Sequence, residues 1–181
     1  MVKPMSRATI FPVLAAAAAA ALAACTPTLG PSPPSGYGPS SGSAFRAADF
    51  AWSTESGRGG ISGQVAFHQG KTRYSCAHAT VILTPETPWT RRRMKILYGS
   101  TESAAEPAEA VRARTPSAPS GDYSAFVRRT TCDGSSRFTF GGLPDGAWYA
   151  ITIAKPPGGG EGLALMKRVT TTAGKMTPLA F

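Results

Sequence analysis

Residues 131–149 read TCDGSSRFTFGGLPDGAWY, and this stretch carries the strongest fold signal in the chain. In RFTF, residues 137–140, two phenylalanines alternate with polar residues, which predicts a strand with one buried face. Residues 142–146, GLPDG, contain the proline, aspartate and glycine that are typical of a turn. The apolar run at 148–153 predicts the next strand. The stretch therefore predicts two short strands joined by a turn.

Similar patterns predict further strands on both sides of this stretch. Their ranges are 61–67, 79–84, 93–98, 124–131 and 163–172, with a possible extension after Gly174. Residues 99–121 are rich in Ala, Glu, Pro and Ser and are predicted to form a long loop with one helical turn near 108–112. Six or seven short strands without a convincing helix predict an all-β fold, a Greek-key β-sandwich of about seven strands.

Residues 131–149 also resemble a family signature, T-D-x-x-G-x-F-x-F-x-x-L-P-x-G-x-Y, of carboxypeptidase regulatory-like domains. Residues 61–65 and 77–85 are similar to the first two strands of that family, so the resemblance covers about residues 59–172. It implies a prealbumin-like (transthyretin-like) sandwich. The chain departs from the family pattern at Ser136, where glycine is usual, and in its long predicted loop.

The resemblance implies no peptidase activity. The His-x-x-Glu zinc motif of the peptidases is absent, because Lys71 stands at the third position after His68 and Val81 at the third position after His78. In that family the domain accompanies an enzyme or stands alone as an adhesive or structural module. The resemblance therefore implies a non-catalytic module, for which we expect no cofactor.

The first 24 residues are typical of a bacterial export signal. Two positive charges precede an apolar run of fifteen residues, 8–22, whereas a membrane span needs about 20. The run ends in Leu22-Ala23-Ala24-Cys25, which resembles the bacterial lipobox. That resemblance implies cleavage before Cys25, lipid on this cysteine and anchoring in the cell envelope. An ordinary secretory signal is the alternative.

Residues 25–43 are predicted to be the lipidated cysteine and a tether. Fourteen of the eighteen residues at 26–43 are Pro, Gly or Ser, a composition that predicts a disordered linker with a mean reach of about 25 Å. Thr26, in place of Asp, favours the outer membrane by resemblance to enterobacterial sorting. A lead-in segment is predicted at 44–58, and the β-sandwich domain at 59–181.

The charge balance favours anionic partners. Without residues 1–24 the chain carries 17 basic and 10 acidic residues, a net charge of +7. This balance favours contact with anionic lipid headgroups or acidic polysaccharide, and no motif supports nucleic acid as a partner. We interpret the densest basic run, residues 91–95, as the charged edge of a sheet, since basic residues on an edge strand oppose unwanted strand pairing.

With Cys25 assigned to lipid, two cysteines remain. Cys76 and Cys132 form an even pair in an oxidising compartment, which predicts one disulfide. A metal site built from these cysteines with His68 and His78 is disfavoured, because the sequence has no Cys-x-x-Cys motif. We therefore expect a bridge between Cys76 and Cys132 and no metal.

Three functional hypotheses follow. The first is a non-catalytic, membrane-anchored envelope lipoprotein whose sandwich binds an unknown envelope protein or serves a structural role, because titratable residues do not cluster in the sequence. The alternative is binding of cell-wall or surface polysaccharide, with an exposed Trp89 for stacking and Arg91, Arg92 and Arg93 for acidic groups. The third is a hydrolase that assembles Ser, His and Asp from separate loops.

Overall fold

The computed structural model describes residues 44–181. The predicted signal peptide, Cys25 and the predicted tether lie outside the described residues. The strands are β1 (Gly59–Gln64), β2 (His68–Gln69), β3 (Thr72–Arg73), β4 (Thr80–Pro85), β5 (Ser103–Pro107), β6 (Arg128–Thr131), β7 (Arg137–Leu143), β8 (Gly146–Ala154), β9 (Leu163–Thr171) and β10 (Met176–Ala180). The helices are α1 (Pro88–Tyr98) and α2 (Ala108–Arg114), with 3-10 turns at Ala47–Thr54, Thr115–Ser117 and Ser124–Phe126.

Two main sheets form the sandwich. The smaller has the order β10-β1-β7, with β1 parallel to β10 and antiparallel to β7. The larger is antiparallel and has the order β5-β9-β8-β4-β6. Strands β2 and β3 make a separate small hairpin. The predicted all-β sandwich is confirmed.

The larger sheet is buried on both faces. Along β8, Trp148 and Ala150 point into the core shared with the smaller sheet, whereas Tyr149 and Ile151 belong to a second apolar cluster on the opposite face. This alternation is the period of two that any strand has. Because both faces of β8 are covered, its sequence reads as a nearly continuous apolar run.

Cys76 and Cys132 are joined by a disulfide, with 5.8 Å between their Cα atoms. Both residues are buried in the core between the sheets. The bridge links the chain just before β4 to the residue that follows β6. This part of the prediction is confirmed.

The predicted strand at 93–98 is wrong, because these residues belong to helix α1. The Thr87 side chain caps the helix by accepting from the amide of Thr90 at 3.1 Å, and Pro88 occupies the first turn, where the missing N–H costs nothing. Gly99 ends the helix with a φ of 70°, a conformation that glycine adopts without strain.

Helix α1 lies on the outer face of the larger sheet. Met94, Leu97 and Tyr98 pack with Tyr149 and Met166 in the second apolar cluster. The basic run at 91–95 is therefore part of a helix, and our interpretation of it as a sheet edge is wrong. Helices α1 and α2 form a third layer, the helical layer. Within the described part of the chain, no helix is both long and apolar enough to cross a bilayer.

The segment 99–121 contains regular structure where a long loop was predicted. Strand β5 pairs with β9, placing Ala105 opposite Leu165, and α2 follows immediately. The predicted helical turn near 108–112 falls within α2. Arg114 then ties α2 to its neighbours, through a 2.9 Å ion pair with Glu106 and a 2.8 Å hydrogen bond to the carbonyl of Leu97.

The lead-in segment packs closely on the sandwich. Phe50 is fully buried, and the Trp52 ring meets the Trp148 ring edge-on with 4.9 Å between their centroids. Arg128 of β6 donates a hydrogen bond to the carbonyl of Ser53 at 2.9 Å. This segment therefore covers one end of the core.

Candidate functional site

Trp89 does not form an exposed stacking surface. Its side chain is 1% exposed, and its ring lies against Phe45, Phe50 and Tyr123, with centroid separations of 5.5, 6.0 and 5.1 Å. Burial of so large an aromatic side chain against other rings is typical of a core position. The prediction that Trp89 is exposed is wrong.

Arg91 belongs to a charged cluster around Glu86. The Glu86 carboxylate is paired with Arg91 and, at 2.5 Å, with the Nε of Arg168. The Tyr149 hydroxyl lies 3.4 Å from the same carboxylate. Burial, followed by the negative charge of Glu86, raises the pKa of Tyr149 to about 12. This cluster connects the start of α1 to the larger sheet, and it pairs Arg91 with a carboxylate of the same protein.

Arg93 holds the chain that follows the helical layer. Its guanidinium lies 5.6 Å from the ring centre of Trp89 and 5.7 Å from that of Tyr123, within the range of a cation–π interaction. It also donates a hydrogen bond to the carbonyl of Pro119 at 2.7 Å. Arg93 is thus engaged within the protein.

Arg92 is exposed and lines a shallow hollow of about 440 Å³. We name this feature the Arg92 hollow. The other residues around it are Ala44, Phe45, Ile96, Ser117, Ala118, Pro119 and Ser120. The three arginines predicted to share one ligand surface therefore have three different environments.

Another depression lies where helix α2 faces the β8–β9 connection. It measures about 660 Å³, and we name it the α2 cleft. Its lining residues are Tyr98, Ala108, Glu109, Val111, Arg112, Thr115, Ile153, Lys155, Gly160, Glu161, Gly162 and Ala164. These come from the end of α1, from α2 and its C-terminal turn, from the end of β8 and from the loop before β9.

The α2 cleft combines an apolar floor with charged side chains of both signs. Ile153 is 38% exposed, an unusual exposure for an isoleucine in this chain. Glu109 and Arg112 form an ion pair at one side, and Lys155 and Glu161 line the cleft without an ion-pair partner in the described region. The cleft therefore presents hydrogen-bond donors and acceptors around an apolar surface.

The loop before β9 packs closely against the floor of the cleft at Gly162. A Cβ atom on Gly162 would lie 2.9 Å from Cγ2 of Ile153, which is closer than real Cβ atoms come to such a neighbour. Tyr98 forms part of the opposite wall, and burial, with the nearby Tyr123, raises its pKa to about 12. The Tyr98 hydroxyl is accordingly neutral at physiological pH.

The two histidines lie apart from both depressions. His68 is exposed and its Nδ1 lies 3.0 Å from the carbonyl of Ala66, and His78 is exposed with a φ of 62°. Neither hydrogen-bonds to a serine hydroxyl or a carboxylate in the described chain. From residue 44 onwards, no three His, Cys, Asp or Glu side chains come together as a metal site would need.

Sequence reasoning missed the α2 cleft because its lining is discontinuous. Glu109 falls within the long loop predicted at 99–121, and residues 156–160 lie between the strands predicted at 148–153 and 163–172. One local signal could have predicted helix α2. Its start is rich in Ala and Glu, and Arg112 and Arg114 lie in its last turn, which is a helix pattern. That pattern predicts a helix but not the strands on which it lies.

Comparison with known proteins identifies a protein of similar fold but no family to which the chain belongs. No family model matches the sequence, and no curated protein matches it. The structure is similar to a crystal structure from Pseudomonas aeruginosa, provisionally described as that of a carbohydrate binding protein, with a TM-score of 0.55 and 19% sequence identity. The match covers 76% of this chain and 96% of that one. At this identity, the likeness shows that the two proteins share a β-rich fold.

Proposed function

We propose that the chain is an exported lipoprotein of the bacterial cell envelope whose β-sandwich domain is a non-catalytic carbohydrate-binding module. Lipid on Cys25 holds it to a membrane. Thr26, the residue after this cysteine, favours the outer membrane. The α2 cleft is the binding site, and its lining is the main observation that supports the proposal. The ligand is polysaccharide of the cell wall or cell surface.

The chemistry of the α2 cleft suits a sugar. A sugar ring has apolar C–H faces and a rim of hydroxyls, each of which both donates and accepts hydrogen bonds. Ile153 offers the apolar contact, while carboxylates and cationic groups provide acceptors and donors around it. Pockets that combine an apolar surface with a few well-placed polar groups are typical of small-ligand sites.

Two further observations support the proposal. The Pseudomonas protein of similar fold is provisionally described as carbohydrate binding. The resemblance to carboxypeptidase regulatory-like domains, which serve as adhesive or structural modules, gains support at Ser136, because this residue has a φ of 60°. Such a backbone conformation explains why glycine is usual at that position.

Our first prediction tests the anchor. Replacing Cys25 with alanine should abolish incorporation of labelled palmitate, because the thiol and the new amino terminus of this residue are the sites that a lipobox implies. Thr26→Ala is the matched control and should keep the label. Label retained in the Cys25 variant, or absent from the unmodified protein, would exclude the lipoprotein assignment.

Our second prediction tests the cleft. The double change Lys155→Ala and Glu161→Ala should weaken polysaccharide binding at least ten-fold, since each charged hydrogen bond contributes about 1.5–3 kcal/mol. The backbone of Lys155 would keep its two hydrogen bonds to Ser75, at 2.8 and 2.9 Å. Affinity electrophoresis of the detergent-solubilised protein in gels containing purified capsular polysaccharide, lipopolysaccharide or soluble wall fragments measures the effect.

The matched control for the cleft is Glu55→Ala with Lys175→Ala. Both residues are exposed, lie outside the cleft and carry the same pair of charges. An equal loss in both double variants would argue against the cleft as the site. Retardation by none of the polysaccharides would argue against carbohydrate binding and favour a protein partner.

A further inference from the structure

The Arg92 hollow is a second depression with a different chemical character from the α2 cleft. Three parts of the chain meet there: the start of the lead-in at Ala44 and Phe45, the exposed side of α1 at Arg92 and Ile96, and residues 117–120. Among the described residues that line it, none is acidic. Arg92 is exposed, and in the described region it forms no ion pair.

The polar groups of the hollow suit an oxyanion. The Arg92 guanidinium offers a planar set of N–H donors that matches phosphate geometry. Ser117 and Ser120, which are both exposed, line the same hollow and carry hydroxyl groups. Ile96 and Phe45 add an apolar side. The hollow therefore combines phosphate-binding groups with an apolar border.

The location of the hollow indicates where a phosphate would come from. Ala44, which lies in its wall, is the residue at which the predicted tether joins the domain. Under the proposed lipid anchor, the hollow therefore lies at the point where the chain connects the domain to its membrane anchor. We infer that the Arg92 hollow binds the phosphate of anionic phospholipid headgroups and so orients the domain on the membrane that carries its anchor.

A weak site suffices for this role. A short flexible linker gives a tethered group an effective concentration in the millimolar range, so a single arginine site can be occupied on the membrane although it would be largely empty in solution. One basic residue near an anionic surface strengthens binding by about five-fold. The inference rests on the proposed anchor for the source of phosphate, and it is independent of carbohydrate binding.

Hydrogen exchange of the lipidated full-length protein tests this inference. The protein would be reconstituted into vesicles of phosphatidylglycerol and phosphatidylcholine, or of phosphatidylcholine alone, and exchange followed by mass spectrometry. We expect amides of residues 115–121 to exchange up to about five-fold more slowly on the anionic vesicles, and 0.5 M salt to remove the difference through screening. Arg92→Gln should also remove it.

Arg129→Gln is the matched control, because Arg129 is exposed on β6 and lies outside the hollow. This variant should keep the protection. Equal exchange on both kinds of vesicle, or equal loss in both variants, would overturn the inference. Equal protection by millimolar inorganic phosphate in detergent would indicate a free-anion site and would also overturn it. Failure of the anchor itself would be visible earlier, as a protein that does not incorporate into either vesicle.

Discussion

Replacing Cys76 and Cys132 together with alanine is expected to lower the free energy of unfolding by about 4 kcal/mol. The bridge spans a sequence separation of 56 residues. Closing a loop of this length removes much conformational entropy from the unfolded chain. Both sulfur atoms are buried in the core between the sheets, so the double variant also loses packing there.

The position of the bridge shows which part of the chain it closes into a loop. The closed loop contains β4, α1, β5, α2 and β6, and hence the whole helical layer. Without the bridge, the unfolded ensemble of this segment gains the most entropy. Because this entropy belongs to the globally unfolded chain, we expect the slowest-exchanging amides of the helical layer and of β7 and β8 to be accelerated equally in the double variant.

Urea unfolding followed by circular dichroism would measure the loss. Reduction of the unmodified protein should reproduce the shift in midpoint, because it breaks the same covalent link while keeping both side chains. A loss below about 1 kcal/mol would contradict the chain-entropy argument. Faster exchange confined to α1 and α2 would show that the bridge acts by opposing local opening of the helical layer instead.

The strands that the sequence predicted correctly share a simple physical basis. Turn residues separate them, and the apolar residues of β1, β7 and β9 fall on positions that the sandwich buries. Phe138 and Phe140, for example, are both in the core. In such segments the local pattern and the tertiary structure agree, so the β-sandwich could be predicted from sequence.

Helix α1 was misread because two patterns coexist in one stretch. Met94, Ile96 and Tyr98 alternate as in a strand, but Met94, Leu97 and Tyr98 also follow the spacing of a helix face. The residues at the two ends of the segment favour the helix over the strand. Thr87 provides the N-cap, and Gly99 is the left-handed residue that ends the helix. These capping signals were in the sequence and outweigh the short alternation.

The candidate site depended on information that no local pattern contains. Strand β5, with the sequence SAAEP, has none of the β-branched or aromatic residues that favour strands, and it is a strand because β9 offers it an edge. Helix α2 follows it and begins beside the loop before β9, where the amide of Ala108 donates to the carbonyl of Gly162 at 2.8 Å. The cleft therefore depends on the pairing of β5 with β9, which are distant in the sequence. For this reason the sequence predicted a ligand contact at Trp89 and not at Ile153.

Replacing Trp148 with alanine is expected to lower the free energy of unfolding by about 3–5 kcal/mol, as for other large buried aromatic residues. Its ring is fully buried between the two sheets. The indole Nε1 donates to Oγ1 of Thr171 at 3.1 Å, and that hydroxyl in turn donates to the carbonyl of Pro144 at 2.6 Å. The variant thus creates a cavity and removes one member of a hydrogen-bonded chain at the β7–β8 turn.

Trp52→Ala provides the matched comparison, because this second tryptophan contacts the same cluster from outside. Its ring lies edge-on to Trp148 at 4.9 Å, yet it is half-buried, so its removal should cost only about 1–2 kcal/mol. Urea unfolding should be followed by far-ultraviolet circular dichroism, since both changes alter the fluorescence. Equal losses for the two variants would show that the lead-in segment contributes as much as the core strand. A loss below about 2 kcal/mol for Trp148→Ala would contradict its place at the centre of the sandwich.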